Sequence, residues 1–245
     1  MSRSRFDAVA PQYDAGRPGY PDELYDAIEE LSGAFLRGSR VGDVGAGTGI
    51  STRGLRRRGA QVVAVDHGAL MLAALRRRTV DAQAVLADAN ALPFAADSFD
   101  LVTFAQSWHW VDLERAPREV VRVVGPGGAV AIWWNTSDTG DGGWLDEHRA
   151  RLQSAGQRAI GVRFETAWGS IPDAFSGLDV GTVRVRWERT VPKEVILDEV
   201  RSKSYVEELG AAEATAFVER ERTLLPDGPL RQPFVTALAV VRIPG

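Results

Sequence analysis

The segment RVGDVGAGTGIS, Arg40 to Ser51, sets Gly42, Gly45, Gly47 and Gly49 behind a short apolar lead-in. Glycine loses more conformational freedom on folding than any other residue, so such a cluster marks a tight turn or a close approach of backbone to a ligand. Val41–Val44 reads as a buried strand and Ser51–Arg58 as a helix with Leu55 turned inward. A glycine turn between a first strand and a helix is where open α/β sheets take a nucleotide-like ligand. The order Gly45-Ala46-Gly47-Thr48-Gly49 is G-x-G-x-G, with Ile50 where the dinucleotide fingerprint G-x-G-x-x-G places its third glycine. Asp43 stands two places before Gly45. A carboxylate there is a poor neighbour for a pyrophosphate and a good one for a positively charged ligand.

Working outward, the alternation of strand and helix continues. PDELYDAIEELS reads as a helix with Leu24, Ile28 and Leu31 on one face. QVVAVD is a strand ending at Asp66, GALMLAALRRR a helix, and AQAVLAD a strand ending at Asp88. Phe99–Gln106 is a fourth strand, and Asp112–Val124 reads as a helix through the spacing of Leu113, Ala116, Val120 and Val124. GPGG turns the chain into AVAIWW, a fifth strand. This pattern predicts an α/β fold whose parallel sheet is covered on both faces. After Trp134 the pattern changes. NTSDTGDGG is loop-like, Trp144–Ala155 can be helical, and TVRVRWERTV alternates with period two, as a strand with one wetter face does. Helical stretches follow at Lys193–Leu209 and Ala211–Leu225, and PFVTALAVVRI closes the chain as a strand.

The composition bounds what such a chain does. Its 245 residues, 44% hydrophobic, suffice for one large core. A net charge of −4 argues against a general nucleic-acid surface. With no cysteine, disulfides and thiolate metal sites are excluded, which fits a reducing cytoplasm. The three histidines, His67, His109 and His148, show no HExxH spacing, so no metal site is expected. The start MSRSRFDAVA lacks the sustained apolar stretch of a signal peptide. No apolar run approaches the ~20 residues that span a bilayer, so no membrane partner is expected either.

The segment DVGAGTG, with acids at the ends of three successive strands, resembles the first cofactor motif and acid ladder of the class I S-adenosylmethionine-dependent methyltransferases, in their bacterial small-molecule branch (type 11-like). FDAVAPQYDAGRPGYP, QSWHWVD, IWWN, KSYVEEL and the final strand resemble that branch too, and ALPFAADSFDLV resembles the family's run into the fourth strand. The resemblance implies a Rossmann-like, seven-stranded, mostly parallel sheet with helices on both faces, the last strand antiparallel, and a helical insertion or cap. It implies one domain over 1–245, with a cap at 1–35, a cofactor-binding core at 36–134, and the remaining sheet with an inserted helical region at 135–245.

For the cofactor, the resemblance places Asp43 at the ammonium group, directly or through water. Gly45, Ala46, Gly47, Thr48 and Gly49 lie along the methionine end. Asp66, with His67 beside it, takes both ribose hydroxyls, and Asp88 with Ala89 faces the adenine. Gln106 lines the methionine moiety, while Tyr13 and Arg17 close over the cofactor from the cap. On the acceptor side stand Trp108, Trp110 and Asn135, with Ser204 and Tyr205 from the insertion. Trp133 and Trp134 are adjacent on a strand, so they point to opposite faces; Trp168 and Trp187 read as packing residues. His109 reads two ways, as a general base or as a structural or cofactor contact.

The implied activity is methyl transfer from S-adenosylmethionine to an oxygen, nitrogen or carboxylate of a small molecule. Two alternatives stay open on the sequence: a non-catalytic binder of the same cofactor, and a nicotinamide-dependent oxidoreductase on a similar sheet.

Overall fold

Short runs of β-branched and apolar residues, most of them followed by a helix with an apolar stripe, build the strands, and those at the centre of the sheet are buried on both faces. The computed structural model describes residues 16–140, 142–157, 165–207 and 209–245. Seven strands form one sheet: β1 (Arg40–Val44), β2 (Gln61–Asp66), β3 (Gln83–Leu86), β4 (Leu101–Ala105), β5 (Ala129–Ser137), β6 (Asp179–Pro192) and β7 (Pro229–Arg242). Their order is β3-β2-β1-β4-β5-β7-β6. The first five are mutually parallel, and β7 runs antiparallel to both its neighbours. The direction of winding reverses between β1 and β4. A crevice therefore opens outside the carboxyl ends of these strands, where such sheets bind ligands.

Alternation along β5 divides the core. Val130, Ile132 and Trp134 pack on one face with Val120, Val123 and Val124 of the helix Ala116–Val124. Ala129, Ala131 and Trp133 pack on the other with Leu24, Tyr25 and Ile28 of the helix Asp22–Ser32. The adjacent tryptophans do face opposite ways, as a strand demands. Trp168 meets Trp134 edge-on at 5.8 Å, and Trp187 stacks on Phe234 at 4.7 Å. A third cluster, including Leu152, Ile196, Leu197, Val200, Val206 and Val218, joins the helices that follow β5 and β6. Among the described residues no helix is long and apolar enough to cross a membrane.

Local chemistry overrides periodicity at three helix boundaries. The helix expected from Asp112 begins at Ala116, because Asp112 Oδ1 accepts from the backbone N–H groups of Glu114 and Arg115 and holds a turn there. Leu113 is consequently exposed rather than inward. The stretch expected to be helical over Lys193–Leu209 breaks after Arg201, where Ser202 Oγ donates to the Glu199 carbonyl; a short helix, Ser204–Glu207, follows. The helix from Trp144 stays α-helical to Leu152 and then widens into a π turn, Gln153–Gln157.

Candidate functional site

The carboxyl ends of β1, β2 and β4 meet at the glycine loop. Register pairs Asp43 with Thr103 on β4 and Val44 with Val65 on β2, so Gly45 and Asp66 reach the same edge. Gly45 and Ala46 both donate to the Val65 carbonyl, at 2.8 and 3.0 Å. Ser107 Oγ donates to the Val44 carbonyl at 2.7 Å, closing β4 over the loop. A Cβ on Gly45, whose φ is +72°, would lie 2.4 Å from Ser107 Cβ. A side chain is thus excluded at Gly45 twice, by conformation and by space. At Gly47, φ is +55° and an added Cβ would meet nothing within 4 Å, so this glycine borders open space. Ala46 and Thr48 are buried. The loop therefore turns its side chains into the protein and its backbone outward.

Asp43 lies beneath this loop and is fully buried. Its Oδ2 accepts from Ser51 Oγ and Thr52 Oγ1, both at 2.6 Å, and its Oδ1 accepts from Thr103 Oγ1 at 2.9 Å. Burial pushes this carboxyl above the usual range, and the hydroxyls of Ser51, Thr52 and Thr103 pull against that rise. The sequence reading put Asp43 at a ligand's ammonium, directly or through water. In the structure its oxygens face three hydroxyls and no atom of it reaches the surface.

Asp66 is the carboxylate next to that open space. Its Oδ2 accepts from Gly47 N–H and its Oδ1 from Gly68 N–H, both at 2.8 Å. A carboxylate offers about four lone-pair positions, so each oxygen keeps one in reserve. His67 is exposed, with Nδ1 3.7 Å from Asp66 Oδ1. Asp88 is exposed at the end of β3 and takes both N–H groups of Asn90, backbone and side chain, on Oδ1. Ala89 packs partly buried beside it.

After β4 the chain turns sharply. Gln106 adopts φ +60°, a left-handed conformation uncommon outside glycine, and donates its backbone N–H to the Trp133 carbonyl. The short 3-10 turn Trp108–Trp110 follows. Trp108 is wholly buried, edge-on to Phe104 at 4.8 Å and stacked on Phe175 at 5.4 Å, which makes it a core side chain here rather than an open wall. Trp110 is 46% exposed, its ring 4.7 Å from that of His109. Trp134 donates its indole N–H to His109 Nδ1 at 3.3 Å. An imidazole nitrogen that accepts carries no proton, so neutral His109 holds its hydrogen on Nε2.

Asn135 joins three segments rather than standing open. Its Nδ2 donates to the Gly19 carbonyl at 3.0 Å, and its Oδ1 accepts from Thr236 Oγ1 at 2.6 Å. Arg17 donates to Ser202 through both its Oγ and its carbonyl. Tyr205 is buried in the cluster formed by the later helices. Tyr13 lies outside the described residues, as does the side chain of Ser204.

Two groups escaped the sequence reading. One is the hydroxyl set on Asp43, whose available signal was a lone threonine, Thr103, on an otherwise apolar strand in register with the acid. The other is a charge cluster around Glu199, which draws Arg189, Lys203 and Gln232 from three separate segments. Burial raises the Glu199 carboxyl, but Lys203, Arg17 and Arg189 together outweigh that and hold it at about 2. Because the folded value lies below the ordinary 4.5, Glu199 contributes stability above that pH and loses it as pH falls through about 2. On the order of 3 kcal/mol of the acid-induced loss should trace to this one group. Urea melts at pH 5 and pH 2.5 should differ more for the parent than for Glu199→Gln.

A recess of about 250 Å3 beside Arg40, Asp97, Phe99 and Asp100 opens at the amino ends of β1 and β4, away from the loop. Arg40 and Asp100 pair there at 2.6 Å.

The sequence profile of the methyltransferase domain matches residues 42–132. The chain is 37% identical over 238 residues to the uncharacterized methyltransferase Rv3342 of Mycobacterium tuberculosis, covering 94% of this chain and 92% of that protein. Among solved structures it superposes with a TM-score of 0.67, at 23% identity, on one from Anaeromyxobacter dehalogenans provisionally described as a type II methyltransferase, covering 94% of this chain and 99% of that one. It also superposes, with a TM-score of 0.55 at 18% identity, on phosphoethanolamine N-methyltransferase 2 of Haemonchus contortus in complex with S-adenosyl-L-methionine, covering all of this chain and 60% of that one.

Proposed function

The chain belongs to the class I S-adenosylmethionine-dependent methyltransferases, and from that premise we propose that it methylates an oxygen, nitrogen or carboxylate of a small molecule. The observation that carries the reading is the pairing of Gly47, bare on its open side, with Asp66, whose two oxygens each keep a lone pair. Backbone lies along the amino-acid end of the cofactor at Gly45–Gly49, and the Asp66 carboxylate receives the two ribose hydroxyls. Asp88 and Ala89 border the adenine. When bound, S-adenosylmethionine would supply a methyl activated on a sulfonium, so that the acceptor atom bonds to the methyl carbon as the C–S bond breaks and the neutral thioether S-adenosylhomocysteine leaves.

The protein therefore needs no nucleophile of its own; it must hold the acceptor close and in line and keep water out. The Gln106–Trp110 turn, the strand end at Asn135 and the helices around Tyr205 form the acceptor side. His109 acts there as a donor through Nε2, oriented by the Trp134 indole, rather than as a base. Accordingly, His109→Gln, which keeps an N–H donor, should stay within a few-fold of the parent, while His109→Ala should lose about tenfold in single-turnover rate at saturating cofactor. Equal losses in both variants, with a pH-dependent limb abolished in each, would instead make His109 the base.

The overall reading is tested by incubating the protein with methyl-labelled S-adenosylmethionine and a panel of small hydroxy, amino and carboxylic acceptors, with a nucleic acid as control. Label should appear in a small molecule. Cofactor binding without label in any acceptor would leave a binding protein in place of an enzyme.

A further inference from the structure

The helices beyond β5 gather more positive than negative charge around one enclosed carboxylate. Glu199 Oε1 accepts from Lys203 Nζ at 2.9 Å, and Oε2 accepts from Arg189 Nη2 at 3.0 Å and Gln232 Nε2 at 3.1 Å. The side chains are nearly shut off from solvent, Glu199 and Lys203 at 14% exposure and Arg189 at 16%. Two cations thus share one carboxylate, and the charge of Arg17 also acts on both Glu199 and Lys203.

The donors are also incompletely used. An ammonium has three hydrogens to give, and the hydrogen bond of Lys203 to Glu199 is its sole one among the described residues. Two residues on, Tyr205 Oη is buried with no hydrogen-bond partner among the described residues. Burial is the main force pushing the Lys203 ammonium below its usual range, with Arg17 and Arg189 adding to it and Glu199 opposing. Buried ammonium hydrogens without acceptors and an orphaned hydroxyl are both costly. A cluster that only braced the fold would be better served by one more acid and by phenylalanine at 205.

The cluster is tied to the carboxyl end of β5. Arg189 and Gln232 pair in register where β6 and β7 run on beyond the carboxyl end of β5. Arg189 also donates to the Gly16 carbonyl, and three residues later Gly19 takes the Asn135 side chain at the end of β5. One short segment therefore ties the cluster to the strand ends around which the methyl-transfer site is built.

We propose that Lys203 and Tyr205, backed by Arg189, bind a carboxylate of the methyl acceptor, so that the substrate is an organic acid. A carboxylate brings two oxygens to the two underused donors and a second negative charge to a pair of cations that share one carboxylate. The inference rests on the methyl-transfer reading, which supplies the acceptor.

The test is calorimetric titration of succinate, dimethyl succinate and inorganic phosphate into the full-length protein saturated with S-adenosylhomocysteine. Succinate should bind saturably and more tightly than phosphate, and the neutral diester should give no heat. Tyr205→Phe and Lys203→Gln should each weaken succinate about tenfold, and Lys203→Arg should recover most of it. Tyr205→Phe should melt no lower than the parent, because its hydroxyl supports no other side chain; a purely structural cluster has no reason to lose succinate in that variant. Unchanged succinate affinity in both variants, no heat with succinate, or phosphate binding as tightly as succinate overturns the proposal. Heat with S-adenosylhomocysteine but none with succinate defeats this inference alone, whereas no heat with S-adenosylhomocysteine defeats the cofactor reading and this inference with it.

Discussion

Asp66→Ala is expected to weaken S-adenosylmethionine binding about 100-fold while the protein still folds. The reasoning is a count of lone pairs. Gly47 and Gly68 N–H groups take one position on each oxygen, and the remaining one on each suits a vicinal pair of hydroxyls. Two hydrogen bonds to a charged acceptor contribute about 3 kcal/mol together, the source of the expected factor. Asp66→Asn keeps one accepting oxygen and should fall between the two, about tenfold down. Calorimetry with S-adenosylmethionine reads both variants. An affinity for Asp66→Ala within a factor of two of the parent would remove the acid from the cofactor site.

Asp43→Ala should act on the fold instead. The substitution removes the acceptor shared by Ser51, Thr52 and Thr103, all buried. Leaving these hydroxyls without a partner costs about 3 kcal/mol even if water enters the gap. For a chain of this size that corresponds to a melting temperature lower by about 10 °C. Cofactor affinity should fall as a consequence, because the start of the helix Ile50–Arg57 and the loop before it lose their anchor. Saturating S-adenosylmethionine should restore part of the lost melting temperature by mass action. An unchanged melting temperature with lost binding would mean that Asp43 touches the ligand directly.

The glycine cluster, the acids at strand ends and the alternating apolar runs made the sheet readable, because each is a local pattern with a local cause. The opposite facing of Trp133 and Trp134 followed from the strand repeat alone. What stayed hidden depends on register and on distance along the chain. Thr103 becomes a partner of Asp43 only when β4 is laid beside β1. The burial of Trp108 depends on Phe175, which arrives 67 residues later. Arg189, Lys203 and Gln232 look like ordinary surface residues until β6, β7 and the intervening helices converge on Glu199. At Asp112 the reading failed for a different reason: a short-range side-chain turn won over the apolar spacing that suggested a longer helix.

The place of β7 has a bearing on how this chain is made. β7, which follows β5 and β6 along the chain, slots between them, pairing with β6 along its whole length and with β5 over residues 234–242. Until residues 229–242 emerge, the nascent sheet carries a bare hydrogen-bonding edge on β5, a strand that includes Trp133 and Trp134. An exposed edge of that kind is a template for association between chains, and a join of such long sequence separation forms slowly. Synthesis that stalls before residues 229–242 should therefore yield sticky, protease-sensitive chains rather than a smaller stable unit.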